Sequence, residues 1–282
     1  MNRPWLKHVV EGNPVEIEIP EISLPDLFQR SVEKYENKIA VTFYDKSYSY
    51  SLLNDCVNRM ASSLTKRQVK KGDRVAIMLP NCPQYPISYY ASLLCGATIV
   101  QINPMYQSSE LLYVLNDSQA KVIIVLDQLL PVVEKILNET SVTTIIPVSF
   151  EKESLFHQLL KDPGDRIPNE KIDPIEDIAV LQYTGGTTGR SKGAMLTHYN
   201  LVANTLQSAA TAHVKTNTGE ERVLTISPLF HVYGMTSAMN LTFYNGGNLI
   251  LVPRFDVEEV VKIIEKTKPT SFPGVPTMYI NF

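Results

Sequence analysis

Cysteine is scarce, with three in 282 residues. Cys56, Cys82 and Cys95 lie far apart and form no C-x-x-C pair, which argues against a disulfide framework or a cysteine-based zinc site. Each reads as a small buried apolar residue. Charge of one sign is also lacking: Lys+Arg 26 against Asp+Glu 29 leaves a net −3. That balance gives no general electrostatic footprint for nucleic acid, so no nucleic-acid partner is expected. The N-terminal Met1-Asn2-Arg3-Pro4-Trp5-Leu6-Lys7-His8 is charged and lacks the apolar stretch of a signal peptide. Uninterrupted apolar runs of spanning length are missing too. Val75 to Ser109 and Val223 to Pro253 carry no Lys, Arg, Asp or Glu. The first is broken by Pro80, Pro83, Pro86 and Pro104, the second by Pro228, Gly234, Gly246 and Gly247. A spanning helix needs about 20 mainly apolar residues. Both runs read instead as buried sheet with its covering helices. A folded, cytosol-compatible chain follows, and cytoplasmic localisation is the expectation.

What is present is enough apolar residue, 44% of the chain, to build a sizeable core. Leu24, Leu27, Phe28, Val32 and Tyr35 recur at helical spacing, as do Tyr50, Leu53, Val57, Met60 and Leu64. Between and after them stand the strand-like runs 39–44, 74–79, 97–102, 121–126 and 143–148. Helices are expected near 87–95, 109–116 and 130–137. No internal repeat or low-complexity tract is visible. Strand–helix alternation with crossovers of this length predicts an α/β fold of parallel βαβ units.

Proline, glycine and charge cluster over residues 161–170, the best linker candidate. Two successive parallel-sheet subdomains are therefore expected, 1–170 and 171–282. The second has strands at 178–183, 223–226, 249–252 and 270–272, and helices near 201–210 and 257–267. The chain stops at Phe282 inside what reads as a further helix, so a truncated sequence is expected.

The most informative segment is Tyr183-Thr184-Gly185-Gly186-Thr187-Thr188-Gly189-Arg190-Ser191-Lys192-Gly193, directly after a predicted buried strand. Glycines let backbone N–H groups approach an anion closely. The hydroxyls of Thr184, Thr187 and Thr188 add donors, and Lys192 adds a full charge. Together they suit a polyphosphate better than a plain surface turn. An ordinary P-loop needs G-x-x-x-x-G-K-[ST] opening into a helix. Here Lys192 follows Ser191, and Ala194-Met195-Leu196-Thr197 reads as a short strand, so that pattern fails on spacing.

This segment, continued by Ala194-Met195-Leu196-Thr197-His198-Tyr199-Asn200, closely resembles the phosphate-loop signature of the adenylate-forming superfamily. That superfamily comprises acyl-CoA synthetases, luciferases and peptide-synthetase adenylation domains. Gly186 stands where members usually have serine, and Ser191 where they usually have proline. The resemblance extends to Leu79-Pro80-Asn81-Cys82, to 96–104, to Pro228-Leu229-Phe230-His231-Val232-Tyr233-Gly234 and to 274–279. Bacterial and archaeal long-chain fatty acid-CoA ligases are the most similar branch.

The resemblance implies the N-terminal portion of a ligase, with the mobile C-terminal domain absent. It implies ATP, Mg2+ and coenzyme A as reactants, and a medium- or long-chain fatty acid as the acid activated. Acyl-adenylate forms first and is then passed to the thiol, the chemistry of an AMP-forming acid-thiol ligase. Thr184, Gly185, Gly186, Thr187, Thr188, Gly189 and Lys192 would hold the nucleotide phosphates. From the residues alone His231 reads equally as packed core or as functional; the resemblance places it beside the carboxylate, with Tyr233 on the pocket wall. His198 reads equally as a capping or packing residue. No metal ligand is assigned. Membrane contact would be peripheral and driven by a lipid substrate. The fragment alone is expected not to turn over. The alternatives are a module loading an amino or aryl acid onto a carrier protein, and a non-catalytic nucleotide-binding fragment.

Overall fold

Ser23 opens the first helix because its hydroxyl accepts the Asp26 amide at 3.2 Å while the Asp26 carboxylate accepts the Ser23 amide at 3.1 Å. This reciprocal cap satisfies amides that a helix start leaves without partners. The computed structural model describes residues 3–166, 168, 170–185, 190–211 and 219–281. In chain order the elements are α1 (Leu24–Tyr35), β1 (Ile39–Phe43), β2 (Lys46–Ser49), α2 (Tyr50–Lys66), β3 (Arg74–Met78), α3 (Gln84–Leu94) and β4 (Thr98–Gln101). Then come α4 (Ser108–Ser118), β5 (Val122–Leu126), α5 (Leu130–Glu134), β6 (Thr144–Val148), α6 (Leu155–Leu159), β7 (Ile178–Thr184), β8 (Lys192–Thr197) and α7 (His198–Thr211). After β9 (Arg222–Thr225) a π-helical stretch, Gly234–Asn240, runs into α8 (Leu241–Tyr244). β10 (Asn248–Leu251), α9 (Val257–Thr267) and α10 (Pro276–Ile280) complete the chain.

The strands form two sheets, ordered β6-β5-β3-β4-β7-β8 and β2-β1-β10-β9. All neighbours are parallel except the hairpins β7–β8 and β1–β2. Sheet membership cuts across residue 170. β1 and β2 pair into the sheet of β10 and β9, whereas β7 and β8 extend the sheet of β3 to β6. The segment 161–165 is pinned to α2: Asp162 accepts from Ser62 and Lys66, each at 2.8 Å, and Lys66 also reaches Asp165. Proline and charge there mark a change of direction held by side chains.

The largest core lies between the sheets, where Leu53, Val57 and Met60 of α2 meet Val75, Ile77 and Ile99 on one side and Val41 and Leu249 on the other. Met78, Val100, Ile123 and Val125 face the opposite side, under Leu111 and Leu115 of α4. Leu224 and Ile250 face Val260 of α9. Strands covered on both faces need no polar alternation, which explains the uncharged runs. Cys56, Cys82 and Cys95 are buried free thiols. No helix among the described residues is long and apolar enough to cross a membrane.

Two local expectations fail, at 130–137 and 270–272, and two further elements, β2 and the helical stretch 234–244, lie where the sequence reading assigned none. β2 has no apolar run and forms only because Tyr44, at φ 53°, turns the chain back onto β1. The stretch 130–137 breaks after Glu134 into a separate 3-10 turn, Leu137–Glu139. The uncharged stretch 234–244 is helical, with π geometry first. Residues 270–272 contribute one bridge, Val223 to Ser271, instead of a strand.

His198 begins α7 and is 1% exposed. Its Nδ1 accepts the Leu24 amide at 3.2 Å, tying the start of α1 to α7. It is a packing and capping residue. Burial holds its pKa down to about 4, against the opposing pull of Asp177 and Asp26. The unfolded chain takes up this proton near pH 6.5, the folded one only near 4. The unfolded state therefore binds more protons across that window, and stability falls as pH drops from 6.5 towards 4, by about 3 kcal/mol in full. Urea midpoints measured from pH 7 to 4.5 should show this loss in the native chain. They should show a flatter profile in His198→Asn, whose amide oxygen keeps an acceptor for Leu24 without a titrating ring. Equal slopes in the two proteins would contradict the assignment.

Candidate active site

The C-terminal ends of β3, β4 and β7 in the larger sheet and of β9 in the smaller one converge on one rim, where open α/β sheets characteristically bind ligands. β7 and β8 are antiparallel partners whose register ends at the pair Thr184 and Lys192. Both are exposed, so their hydroxyl and ammonium groups flank the glycine-rich loop at its two roots. Gly186, Thr187, Thr188 and Gly189 lie outside the described residues. Gly185 and Arg190 border an open cleft of about 550 Å³ whose far wall is Tyr106, Ser109, Glu110 and Tyr113.

The hairpin is held rigidly from behind. Ser191 Oγ donates to the Thr184 carbonyl at 2.8 Å, and Tyr113 of α4 donates its hydroxyl to the Ser191 carbonyl at 2.8 Å. Tyr183 donates to Asp117 Oδ2 at 2.6 Å. Burial and this carboxylate push the Tyr183 pKa up, keeping the phenol a donor. Its ring lies across Gly193, where a Cβ would sit 3.1 Å from ring carbon. Fixed roots of this kind hold Thr184 and Lys192 in place, the condition for electrostatic stabilisation without reorganisation.

His231 and Tyr233 occupy the turn between β9 and the π-helix, and both are exposed. The Tyr233 amide donates to His231 Nδ1 at 3.3 Å. A neutral ring engaged in this way carries its proton on Nε2 and can donate it to an oxygen. Tyr233 hydroxyl reaches the Gly274 carbonyl at 3.4 Å, and partial desolvation, with a smaller push from the neighbouring Tyr279 phenol, raises its pKa. The turn itself depends on Gly234, where a Cβ would lie 2.2 Å from the Pro228 carbonyl oxygen.

Three side chains that sequence reasoning had not assigned to the site seat this turn. Asn81 Nδ2 donates to the carbonyls of Thr225, Ile226 and Ser227 at 3.1–3.2 Å, while its Oδ1 accepts the Leu229 amide at 2.9 Å. Gln101 Nε2 donates to the Leu229 carbonyl at 3.1 Å, and Gln182 Nε2 to the Phe230 carbonyl at 3.4 Å. Gln182 thus links the two candidate regions, standing two residues before Thr184 and holding the residue before His231. The available signal was a lone amide side chain at the end of an apolar strand. Gln101 Oε1 and Gln182 Oε1 are buried and have no hydrogen-bond partner among the described residues. Each such orphan costs about 1–3 kcal/mol. Among the described residues no three His, Cys, Asp or Glu side chains gather as a metal cage.

Thr184 and Lys192 therefore sit together across the hairpin, and His231 and Tyr233 together on the adjoining turn. Residues 28–282 match the sequence pattern of the AMP-binding enzyme family. A long-chain-fatty-acid–CoA ligase of Bacillus subtilis (strain 168) is 42% identical over 99% of this chain and 55% of its own length. A probable 4-coumarate–CoA ligase of Dictyostelium discoideum is 30% identical over 94% of this chain and 51% of its own. The crystal structure of a long-chain-fatty-acid-CoA ligase from Archaeoglobus fulgidus superimposes with a TM-score of 0.84 at 31% identity, covering 93% of this chain and 52% of that one. The chain spans about half the length of the curated relatives it matches.

Proposed function

Because the chain belongs to the AMP-binding enzyme family, we propose that it supplies the nucleotide and carboxylate sites of an ATP-dependent acid-thiol ligase acting on a medium- or long-chain fatty acid. The observation that carries this reading is the braced β7–β8 hairpin, with Thr184 and Lys192 at its roots and His231 one amide clamp away. In the first half-reaction a carboxylate oxygen attacks the α-phosphorus of ATP, and the bond to pyrophosphate breaks. In the second, the thiol of coenzyme A attacks the acyl carbonyl, AMP leaves and the thiol proton is released. Catalysis of the first step is positioning and charge stabilisation. Lys192 and the Thr184 hydroxyl hold phosphate oxygens; we assign the same role to Gly185, Gly186, Thr187, Thr188 and Gly189. The Nε2 proton of His231 is offered to the carboxylate, and Tyr233 lines the acid's approach. Mg2+, when bound with ATP, would offset phosphate charge.

Relatives from two kingdoms of life that bear CoA-ligase names favour coenzyme A over a carrier protein as acceptor. The reading places the reaction in the cytoplasm, with peripheral contact where the lipid substrate is met. The chain by itself is proposed to bind nucleotide without turnover. Calorimetric titration of the chain with ATP–Mg2+ should give a saturable signal, weakened roughly tenfold or more by Lys192→Ala, the worth of one charge-assisted hydrogen bond. Absence of binding by the native chain, or equal affinity in the variant, would remove the hairpin from the nucleotide site.

A further inference from the structure

The turn before His231 is held by one amide side chain from the end of each of three adjacent strands, β3, β4 and β7. Asn81 takes the carbonyls of 225–227 and the Leu229 amide, Gln101 takes the Leu229 carbonyl, and Gln182 takes the Phe230 carbonyl. Gln101 and Gln182 are direct cross-strand partners in the β4–β7 register and are 2% and 6% exposed. Their contacts therefore follow the turn residue by residue, and the last carbonyl gripped adjoins His231.

We infer that Gln101 and Gln182 are positioning residues that fix His231, through the Leu229 and Phe230 carbonyls, for its hydrogen bond to the substrate carboxylate. The inference deepens the ligase reading and rests on it for the identity of the substrate. Burial alone does not account for these glutamines. Each keeps an amide oxygen in the interior without a partner among the described residues, a cost that an apolar side chain on the same strand face would not carry. What the glutamines supply and apolar residues cannot is a pair of N–H donors aimed at two consecutive carbonyls. Gln101 is itself oriented by the hydroxyl of Tyr85 at 3.0 Å and the sulfur of Met235 at 3.2 Å. The amide planes on β4 and β7 thus impose a fixed orientation on a turn that otherwise belongs to the smaller sheet.

Gln101→Met and Gln182→Met keep volume and remove the donors. In full-length protein, each should raise the KM for the fatty acid about tenfold while the KM for ATP changes less than twofold. Gln101→Glu supplies a readout that a merely structural role would not move. Its protonated carboxyl can donate to the Leu229 carbonyl, whereas the carboxylate opposes it, so the acid KM should climb with pH in this variant and not in Gln101→Met. Native acid KM in both methionine variants, parallel rises in the two KM values, or a pH profile shared by Gln101→Glu and Gln101→Met would each overturn the inference. Should Gln101→Met fail to fold, Gln182→Met, which gives up a single contact, carries the test. A native protein without acid-dependent pyrophosphate exchange would refute the ligase reading instead. The clamp is then judged on this chain alone by the ring resonances of 13C-labelled histidine, assigned with His231→Asn. The His231 signal should shift or split in the glutamine variants, and an unmoved signal would refute the clamp.

Discussion

Alanine at position 192 should slow carboxylate-dependent pyrophosphate exchange by the full-length protein about 10²–10³-fold, the range found when one preorganised donor is taken from a developing negative charge. The geometry favours the upper part of that range. Lys192 opens β8 opposite Thr184, and the backbone of this hairpin root is fixed by Ser191 and Tyr113. On the proposed reading, an ammonium on a fixed root would neutralise the departing pyrophosphate at little cost in ordering, and no second described cation stands in register with it across the hairpin. Arginine at 192 restores charge but not shape, since its planar fork needs a different approach to phosphate oxygens. Partial recovery of exchange by Lys192→Arg is therefore expected. Exchange at the native rate in Lys192→Ala would show that the triphosphate lies elsewhere and that the hairpin is only a structural turn.

The parts of the molecule legible from sequence are those whose cause is local. α1 and α2 carry buried stripes at helical spacing and serine caps, and their positions follow from those alone. The hairpin announces itself because eight glycine, threonine and lysine residues fall within 184–193, directly after an apolar strand. Sheet partnership has no local cause. The polar segment before β7 marks where the chain turns, but whether β7 then joins β4 or begins a sheet of its own is decided by apolar residues distant in sequence. The same holds for β1, whose parallel partner β10 lies some two hundred residues away. The 234–244 stretch was illegible for another reason. A buried segment without charge shows no stripe, so its period cannot be read, and a π-helical insertion changes that period anyway. At the site, motif-like residues were visible and their supports were not. A single glutamine carries no spacing, and Gln101 and Gln182 acquire meaning only when β4 and β7 become neighbours.

The same distinction between residue and support decides what Gly234 does. A methyl group there would lie 2.2 Å from the Pro228 oxygen, 2.6 Å from the Pro228 carbonyl carbon and 2.7 Å from the Ser227 oxygen. All three are backbone atoms, so no rotamer change relieves the contact. The backbone has little room to retreat, because Asn81 grips the Ser227 carbonyl, Ser227 Oγ donates to the Pro273 carbonyl at 2.7 Å, and the His231 amide donates to Pro228. Overpacking of this kind costs about 3 kcal/mol. For a domain of this size that corresponds to a fall in Tm of roughly 6–12 °C. Gly72 provides the comparison: at φ +83° with no atom within 4 Å of its added Cβ, alanine there meets backbone strain alone, about 1 kcal/mol. Gly234→Ala should therefore melt well below Gly72→Ala, and the surviving folded protein should bind ATP–Mg2+ more normally than it binds fatty acid, because the turn that moves bears His231 and the hairpin does not. Equal melting temperatures for the two variants would mean that the turn can open at Pro228. A turn that opens there would not hold His231 at a defined place.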